Sequence, residues 1–322
     1  MIKILNAEPD GYSDLARRML QRSASYVDLD EGRKSFWAEI EDAHILIVRL
    51  NRQIGKSVLE RAKNLKAVVS ATTGLDHIDI DHASARNIEV LSLRGEDDFL
   101  ETISATAELA LGLMLTMSRH IIPANRSVLG GSWDRDAFVG SELRNKKLAI
   151  IGLGRLGKRV ARYAHSLDME VVAYDPYVSS WMPSVVRSES LLEAVSGADI
   201  VSLHVPLNAD THHMIGSDIF SAMKNTSILV NTSRGQVIDE RALMDALRQH
   251  RIMAAALDVV SGERHKLEES ELLRFSRESP NLVITPHIGG ATRDSMRKTE
   301  IFMAQKLLDF LKKIRGSLPG GQ

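Results

Sequence analysis

Three residues of this chain stand where a short apolar run gives way to a loop, and their side chains suit one kind of chemistry. His287 closes the run Leu282-Val283-Ile284-Thr285 and precedes Ile288-Gly289-Gly290. A histidine is the side chain that gives or takes a proton most readily near neutral pH. Glu263 follows Asp258-Val259-Val260-Ser261-Gly262 and supplies a carboxylate that can orient an imidazole. Arg234 sits in Val230-Asn231-Thr232-Ser233-Arg234-Gly235. Its planar guanidinium can hold a carboxylate in two parallel hydrogen bonds and still polarise a neighbouring carbonyl. Singly, each has a plainer reading: a surface charge, a solvated loop acid, a satisfied loop histidine. All three come after strand ends, the side on which open α/β sheets bind ligands, and that coincidence favours a proton transfer that accompanies a hydride.

The element that must organise them is Lys147–Gly157. Residues 148–151 read as a parallel strand buried on both faces, and Gly152, Gly154 and Gly157 fit G-x-G-x-x-G at its end. The first glycine makes the turn, the second admits a pyrophosphate and the third lets the helix pack on the strand. The helix from Arg155 and Leu156 onward then offers backbone N–H groups and a positive dipole end to phosphates. A second strand, Glu170–Tyr174, ends at Asp175, 18 residues after Gly157. A carboxylate about 20 residues on accepts ribose hydroxyls; the plainer reading is an acid opening the Asp175-Pro176 turn. No cation follows directly to welcome a 2′-phosphate, so the cofactor reads as NAD rather than NADP.

Apolar runs at 200–205, 225–231, 254–259 and 282–285 bring this second sheet to six strands, with Asp239 capping a helix over 240–250. The first hundred residues alternate in the same way, with strands at 2–5, 26–29, 45–48, 67–71 and 90–93. The expected fold is α/β, with two doubly wound parallel-sheet domains: a flavodoxin-like substrate domain and a Rossmann NAD-binding domain. The acidic stretch 94–103 marks the boundary. The helix over 291–313, with Ile301, Ala304, Leu308 and Leu311 on one face, returns to the first domain, and the tail 316–322 reads as disordered. The domains are therefore 1–103 with 292–322, and 104–291. After the fourth strand, Thr72-Thr73-Gly74 can turn backbone N–H groups toward an anion as a nest, or be an ordinary strand-to-helix turn.

Composition narrows the classes. The chain has 322 residues, formal charge −1 and no cysteine, which gives no pull toward nucleic acid or anionic membrane and excludes disulfides and thiolate catalysis. No metal-ligand pattern emerges. The first five residues are too short an apolar run for a secretory leader, and the helix around 105–117 reads as too short and polar to cross a bilayer. A cytoplasmic setting fits. Asn-x-Ser/Thr triplets at Asn125, Asn225 and Asn231 are read as chance.

The runs IIGLGRLGKRVA, AYDPY, LHVPLNADTHHMI, LVNTSRGQVIDERAL, ALDV and ITPHIGG resemble the D-isomer-specific 2-hydroxyacid dehydrogenase family, which includes the phosphoglycerate dehydrogenases. The resemblance covers nearly the whole chain and is strongest over 148–291. It implies an NAD-dependent oxidoreductase with Arg234, Glu263 and His287 as its catalytic residues. It implies cofactor contacts at Thr106, Leu156, Asp175, His204, Pro206, Thr211, Thr232, Asp258 and Gly289, and a carboxylate-binding loop at Thr72, Thr73 and Gly74. It further implies a small 2-hydroxy or 2-keto acid substrate, closure of the domains around it, and a homodimer formed through the helix near Ala107 and the loop near Trp133. Arg49, ending the third strand, matches an arginine that meets the substrate phosphate in the phosphoglycerate enzymes, so 3-phosphoglycerate or another acidic 2-hydroxy acid is the expected substrate. A surface arginine is the alternative, and Ser70 stands where some of those enzymes carry a second arginine. The chain departs from the family in its long acidic loop 94–103 and in following Glu263 with Arg264 and His265, which add cations nearby. Formate oxidation on this scaffold goes with glutamine beside the histidine, against Glu263. A non-catalytic NADH-sensing corepressor of the same fold is the rival from another class.

Overall fold

The structure, a computed structural model, describes residues 2–263 and 270–316, the side chains of 315 and 316 excepted. Arg264, His265 and residues 317–322 of the tail lie outside the described residues. In chain order the elements are β1 (Lys3–Asn6), α1 (Asp14–Gln21), β2 (Ser25–Asp28), α2 (Phe36–Glu39), β3 (Ile45–Val48), α3 (Lys56–Arg61), β4 (Ala67–Ser70), α4 (Ile80–Ala85), β5 (Glu89–Leu91) and α5 (Asp97–Leu100). There follow α6 (Ala105–Ser118), α7 (Ile121–Leu129), β6 (Lys147–Ile151), α8 (Arg155–Ser166), β7 (Glu170–Tyr174), β8 (Val186–Arg187), α9 (Leu191–Val195) and β9 (Ile200–Leu203). The last are α10 (Ser217–Ala222), β10 (Ile228–Asn231), α11 (Glu240–Arg248), β11 (Ala254–Leu257), α12 (Glu271–Glu278), β12 (Leu282–Ile284) and α13 (Arg293–Gly316). Two compact units result: residues 1–103 with 292–322, and residues 104–291.

The first unit holds a parallel sheet in the order β2-β1-β3-β4-β5, the doubly wound flavodoxin-like order. Successive residues of a strand face opposite sides, and both sides are covered, so the strands are apolar throughout. Leu5, Leu46, Val48 and Val68 enter one core, and Ile4, Ile45, Ile47 and Val69 the other. α13 packs on the second core through Met303, Ala304, Leu307 and Leu311. The face expected from the sequence is thus rotated by part of a turn, with Ile301 and Leu308 at its margin. The acidic stretch is docked rather than loose. Phe99 stacks on Phe302 with ring centroids 4.0 Å apart, and Lys306 donates to Ser92 O at 2.9 Å and pairs with Glu96.

The second unit holds seven strands in the order β12-β11-β10-β9-β6-β7-β8. The six expected strands are joined by β8, an exposed two-residue edge strand too short to show a period. β6 lies inside, Leu148 and Ile150 facing one core and Ala149 and Ile151 the other. The longer stretch Asp97–Ser118 is apolar enough, by length and composition, to cross a membrane, although α6 itself has 14 residues. The apolar character of α6 serves the core of this unit, where Ala107, Ala110, Leu113, Met114 and Met117 are buried.

Candidate active site

At the end of β6 the backbone turns at Gly152 with φ +94°, and a Cβ there would lie 2.7 Å from His204 O. A Cβ on Gly157 would meet Gly152 O at 2.1 Å, so α8 rests directly on the turn. Both positions therefore demand glycine. A Cβ on Gly154 would meet nothing within 4 Å, and Gly154 starts α8 with no side chain capping the first N–H groups. That is the geometry of an anion site at a helix N-terminus. Asp175 Oδ2 accepts from Leu153 N at 2.8 Å, and Oδ1 accepts from Tyr177 N and Val178 N at 2.9 and 3.2 Å. The acid therefore both opens its turn and holds the glycine loop, and a carboxylate keeps lone pairs for further donors.

Two buried polar atoms nearby lack a hydrogen-bond partner: Thr232 Oγ1 and His204 Nδ1. His204 Nε2 bonds Ser202 Oγ at 2.9 Å, and burial pushes the imidazole down to a pKa of about 4, so it is neutral at pH 7. The open space at Gly154, the uncapped helix and these two atoms fit a dinucleotide. Thr211 differs: its hydroxyl donates to Pro206 O at 2.6 Å and accepts from Asn208 N at 2.9 Å, stapling its own loop. Among the described residues, no group of three or more metal-ligating side chains comes together.

The three chemical residues lie after β10, β11 and β12. Buried Asn231 shapes the first loop: its Oδ1 accepts from Ser233 N and Oγ at 2.9 and 2.7 Å, and its Nδ2 donates to Arg234 O at 2.9 Å. Arg234 Nη1 donates to Ser233 O at 2.7 Å. At Gly235 a Cβ would lie 2.1 Å from Val260 C, so this loop touches the backbone that leads to Glu263. Asp258 shapes the third loop. Its Oδ1 accepts from Thr285 Oγ1 and Ile288 N at 2.6 and 2.8 Å, and its Oδ2 from Gly289 N at 2.7 Å. Burial raises its pKa against the pull of those bonds. Gly289 also passes close to Thr106, where a Cβ would lie 3.2 Å from the methyl group.

His287 adopts φ +54°, a conformation that costs a non-glycine residue on the order of 1 kcal/mol. Its N–H donates to Asp258 O at 2.8 Å, which helps hold the backbone there. Its Nδ1 lies 2.7 Å from Glu263 Oε1, with both side chains about one-fifth exposed. With Nδ1 donating to the carboxylate, Nε2 is the nitrogen left to exchange a proton.

In the first unit, Thr72 Oγ1 donates to Gly74 O and bonds Ser70 Oγ, each at 2.8 Å, and Ser70 Oγ meets Nε2 of fully buried His77 at 3.1 Å. One consistent set of donors runs from His77 Nε2–H to Ser70, from Ser70 to Thr72, and from Thr72 to Gly74 O. Gly74 is not among the left-handed glycines, so Thr73-Gly74 lacks the alternating backbone of a nest; the side-chain chain holds it as a braced strand-to-helix turn. Arg49, one step past β3, is turned inward. Its Nη1 donates to Asp10 O at 2.8 Å, and its Nη2 lies 2.8 Å from Oε1 of buried Glu300, an ion pair without the alignment of a hydrogen bond. Glu300 Oε2 accepts from Ser13 N at 2.6 Å. The bracing role of Asn231, and His77 and Glu300 altogether, are not read from the sequence. Asn231 lay inside a quoted motif, but nothing local marks the other two.

A family model described as the D-isomer specific 2-hydroxyacid dehydrogenase NAD binding domain matches residues 111–289. The chain is 34% identical over 321 residues to a D-3-phosphoglycerate dehydrogenase of Methanocaldococcus jannaschii, covering 99% of this chain but 58% of that protein. It is 35% identical over 288 residues to a hydroxypyruvate reductase of Thermotoga maritima, covering 89% of this chain and 90% of that one. The solved structure of a D-lactate dehydrogenase from Aquifex aeolicus, complexed with NAD and lactic acid, superposes with a TM-score of 0.83 at 25% identity, covering 99% of each chain.

Proposed function

The chain belongs to the D-isomer-specific 2-hydroxyacid dehydrogenase family, and from that premise we propose that it interconverts a D-2-hydroxy acid and its 2-keto acid with NAD. Arg234 binds the substrate carboxylate and polarises the carbonyl. In reduction, His287 gives the proton on Nε2 to the forming hydroxyl; in oxidation it takes that proton back. Glu263 fixes the ring through Nδ1. Bound cofactor supplies or accepts the hydride. Gly152, Gly154, Gly157 and the start of α8 hold its pyrophosphate, Asp175 its ribose, and Thr232 and His204 the remaining polar groups. In the first unit, the backbone N–H groups of the Thr72-Thr73-Gly74 turn are the candidate contact for an acid substrate, offered by a braced turn rather than a nest. The observation that carries the reading is the 2.7 Å contact between Glu263 and a histidine held at positive φ. NADH turnover with a panel of 2-keto acids separates this enzyme from a non-catalytic NADH sensor.

For the substrate, the Arg49–Glu300 pair supports an unphosphorylated acid, because the guanidinium is already balanced by a buried carboxylate. A phosphorylated substrate such as D-3-phosphoglycerate is the second reading, favoured by the place of Arg49 at a strand end and by the M. jannaschii relative. Steady-state kinetics with D-glycerate and 3-phosphoglycerate distinguish them. The first reading expects a preference for D-glycerate that narrows in Glu300→Gln. A preference for 3-phosphoglycerate that disappears in Arg49→Ala establishes the second. The exposed Leu129, Trp133 and Val139, at 80%, 89% and 75%, support a homodimer joined through this region of the nucleotide unit.

A further inference from the structure

Glu263 stands on a loop, and a loop does not by itself hold a carboxylate in register with an imidazole. Two contacts anchor the backbone just before it. One is the close approach of Gly235 to Val260 and Ser261. The other comes from Glu240, the first residue of α11, whose Oε1 accepts from Ser261 N at 2.6 Å and which also bonds the Ser261 hydroxyl. α11 is a rigid base for that contact: Asp239 caps it by accepting from Arg241 N and Ala242 N, and Leu243, Met244, Ala246 and Leu247 are buried. An acid in a first turn also favours the helix dipole. That accounts for a carboxylate at position 240 but not for its aim at Ser261, and the capping bonds are already supplied by Asp239. Gly262, between the anchored Ser261 and Glu263, has φ +69°, so the chain reverses sharply at the residue that delivers the acid.

We propose that Glu240 is the positioning residue for Glu263: by clamping Ser261 it fixes where the catalytic carboxylate meets His287. The proposal rests on the reading of Glu263 and His287 as the catalytic pair. Burial raises the Glu240 pKa while the Ser261 bonds and His213 oppose it. Glutamine keeps an acceptor oxygen at the same reach and alanine removes it.

The test is a cycle of Glu240→Ala, Glu240→Gln, Glu263→Gln and the double variant Glu240→Ala/Glu263→Gln. It is read as kcat and KM for a 2-keto acid, Kd for NADH, and Tm. A displacement of about 1 Å at a catalytic group costs roughly 100-fold in rate, so Glu240→Ala should lower kcat by about 10- to 100-fold. Kd for NADH should stay within about twofold, Glu240→Gln should recover most of the rate, and the double variant should be no slower than Glu263→Gln alone. If Glu240→Ala does not fold, Glu240→Asp, one methylene shorter, replaces it, with a loss of about tenfold expected. A slow Glu263→Gln beside a wild-type kcat in Glu240→Ala, or additive losses in the double variant, overturns the proposal alone. A wild-type kcat in Glu263→Gln overturns the catalytic reading and the proposal with it.

Discussion

Replacing Gly235 with alanine should separate the two loops on which the reaction depends. The added Cβ would lie 2.1 Å from Val260 C, 2.3 Å from Ser261 N and 2.5 Å from Val260 O. All three are backbone atoms, so no rotamer change can relieve the clash. Carbon–carbon contact begins near 3.5 Å, so the loops must part by more than about 1 Å. Overpacking of this kind costs about 1–3 kcal/mol, which for a unit of this size lowers Tm by roughly 2–12 °C. The same shift moves Glu263 and Arg234 apart, and kcat should fall about 100-fold. The glycine loop at 152–157 is untouched, so Kd for NADH should stay within about twofold. Thermal melts, NADH fluorescence titration and steady-state kinetics on one preparation measure all three. A variant with wild-type Tm and kcat within about threefold would refute the claim that this contact sets the geometry.

Asp175→Ala removes the acceptor for the ribose hydroxyls and should narrow the preference for NAD over NADP, measured as the ratio of kcat/KM values; an unchanged ratio contradicts the role. His204 is neutral in the folded protein with a pKa of about 4, against about 6.5 unfolded, so between these values the unfolded chain binds more protons. Its contribution is full above about pH 6.5 and is lost as pH falls to about 4. Urea unfolding at pH 7 and pH 5 should show wild type losing on the order of 1–2 kcal/mol more than His204→Asn, and equal losses refute the assignment. Trp133→Glu should convert a dimer to a monomer in light scattering, whereas a dimer that survives it is joined elsewhere.

Most of the scaffold was legible because buried parallel strands leave short apolar runs, and glycines forced by close approach leave a fixed spacing. Gly152 and Gly157 are glycine for reasons visible in the motif and again in the 2.7 and 2.1 Å contacts a Cβ would make. β8 was not legible, since two residues carry no period. The inward face of α13 was misplaced by part of a turn because Met303 and Leu307 are as apolar as the residues chosen beside them. The greater loss was in partners. Arg49 reads as a free guanidinium in sequence, and its partner Glu300 comes from the far end of the chain through the packing of α13 on α1. Glu240 likewise looks like an ordinary helix-start acid until the fold brings Ser261 to it.

The most direct test of the account is the rate of NADH oxidation by the purified protein with a 2-keto acid it accepts, wild type beside His287→Ala. The account predicts sustained turnover by wild type and a kcat lower by about 10²- to 10⁴-fold in the variant, with Kd for NADH unchanged. A His287→Ala protein that keeps kcat within about threefold, or a wild type that binds NADH yet oxidises none across the panel, contradicts it.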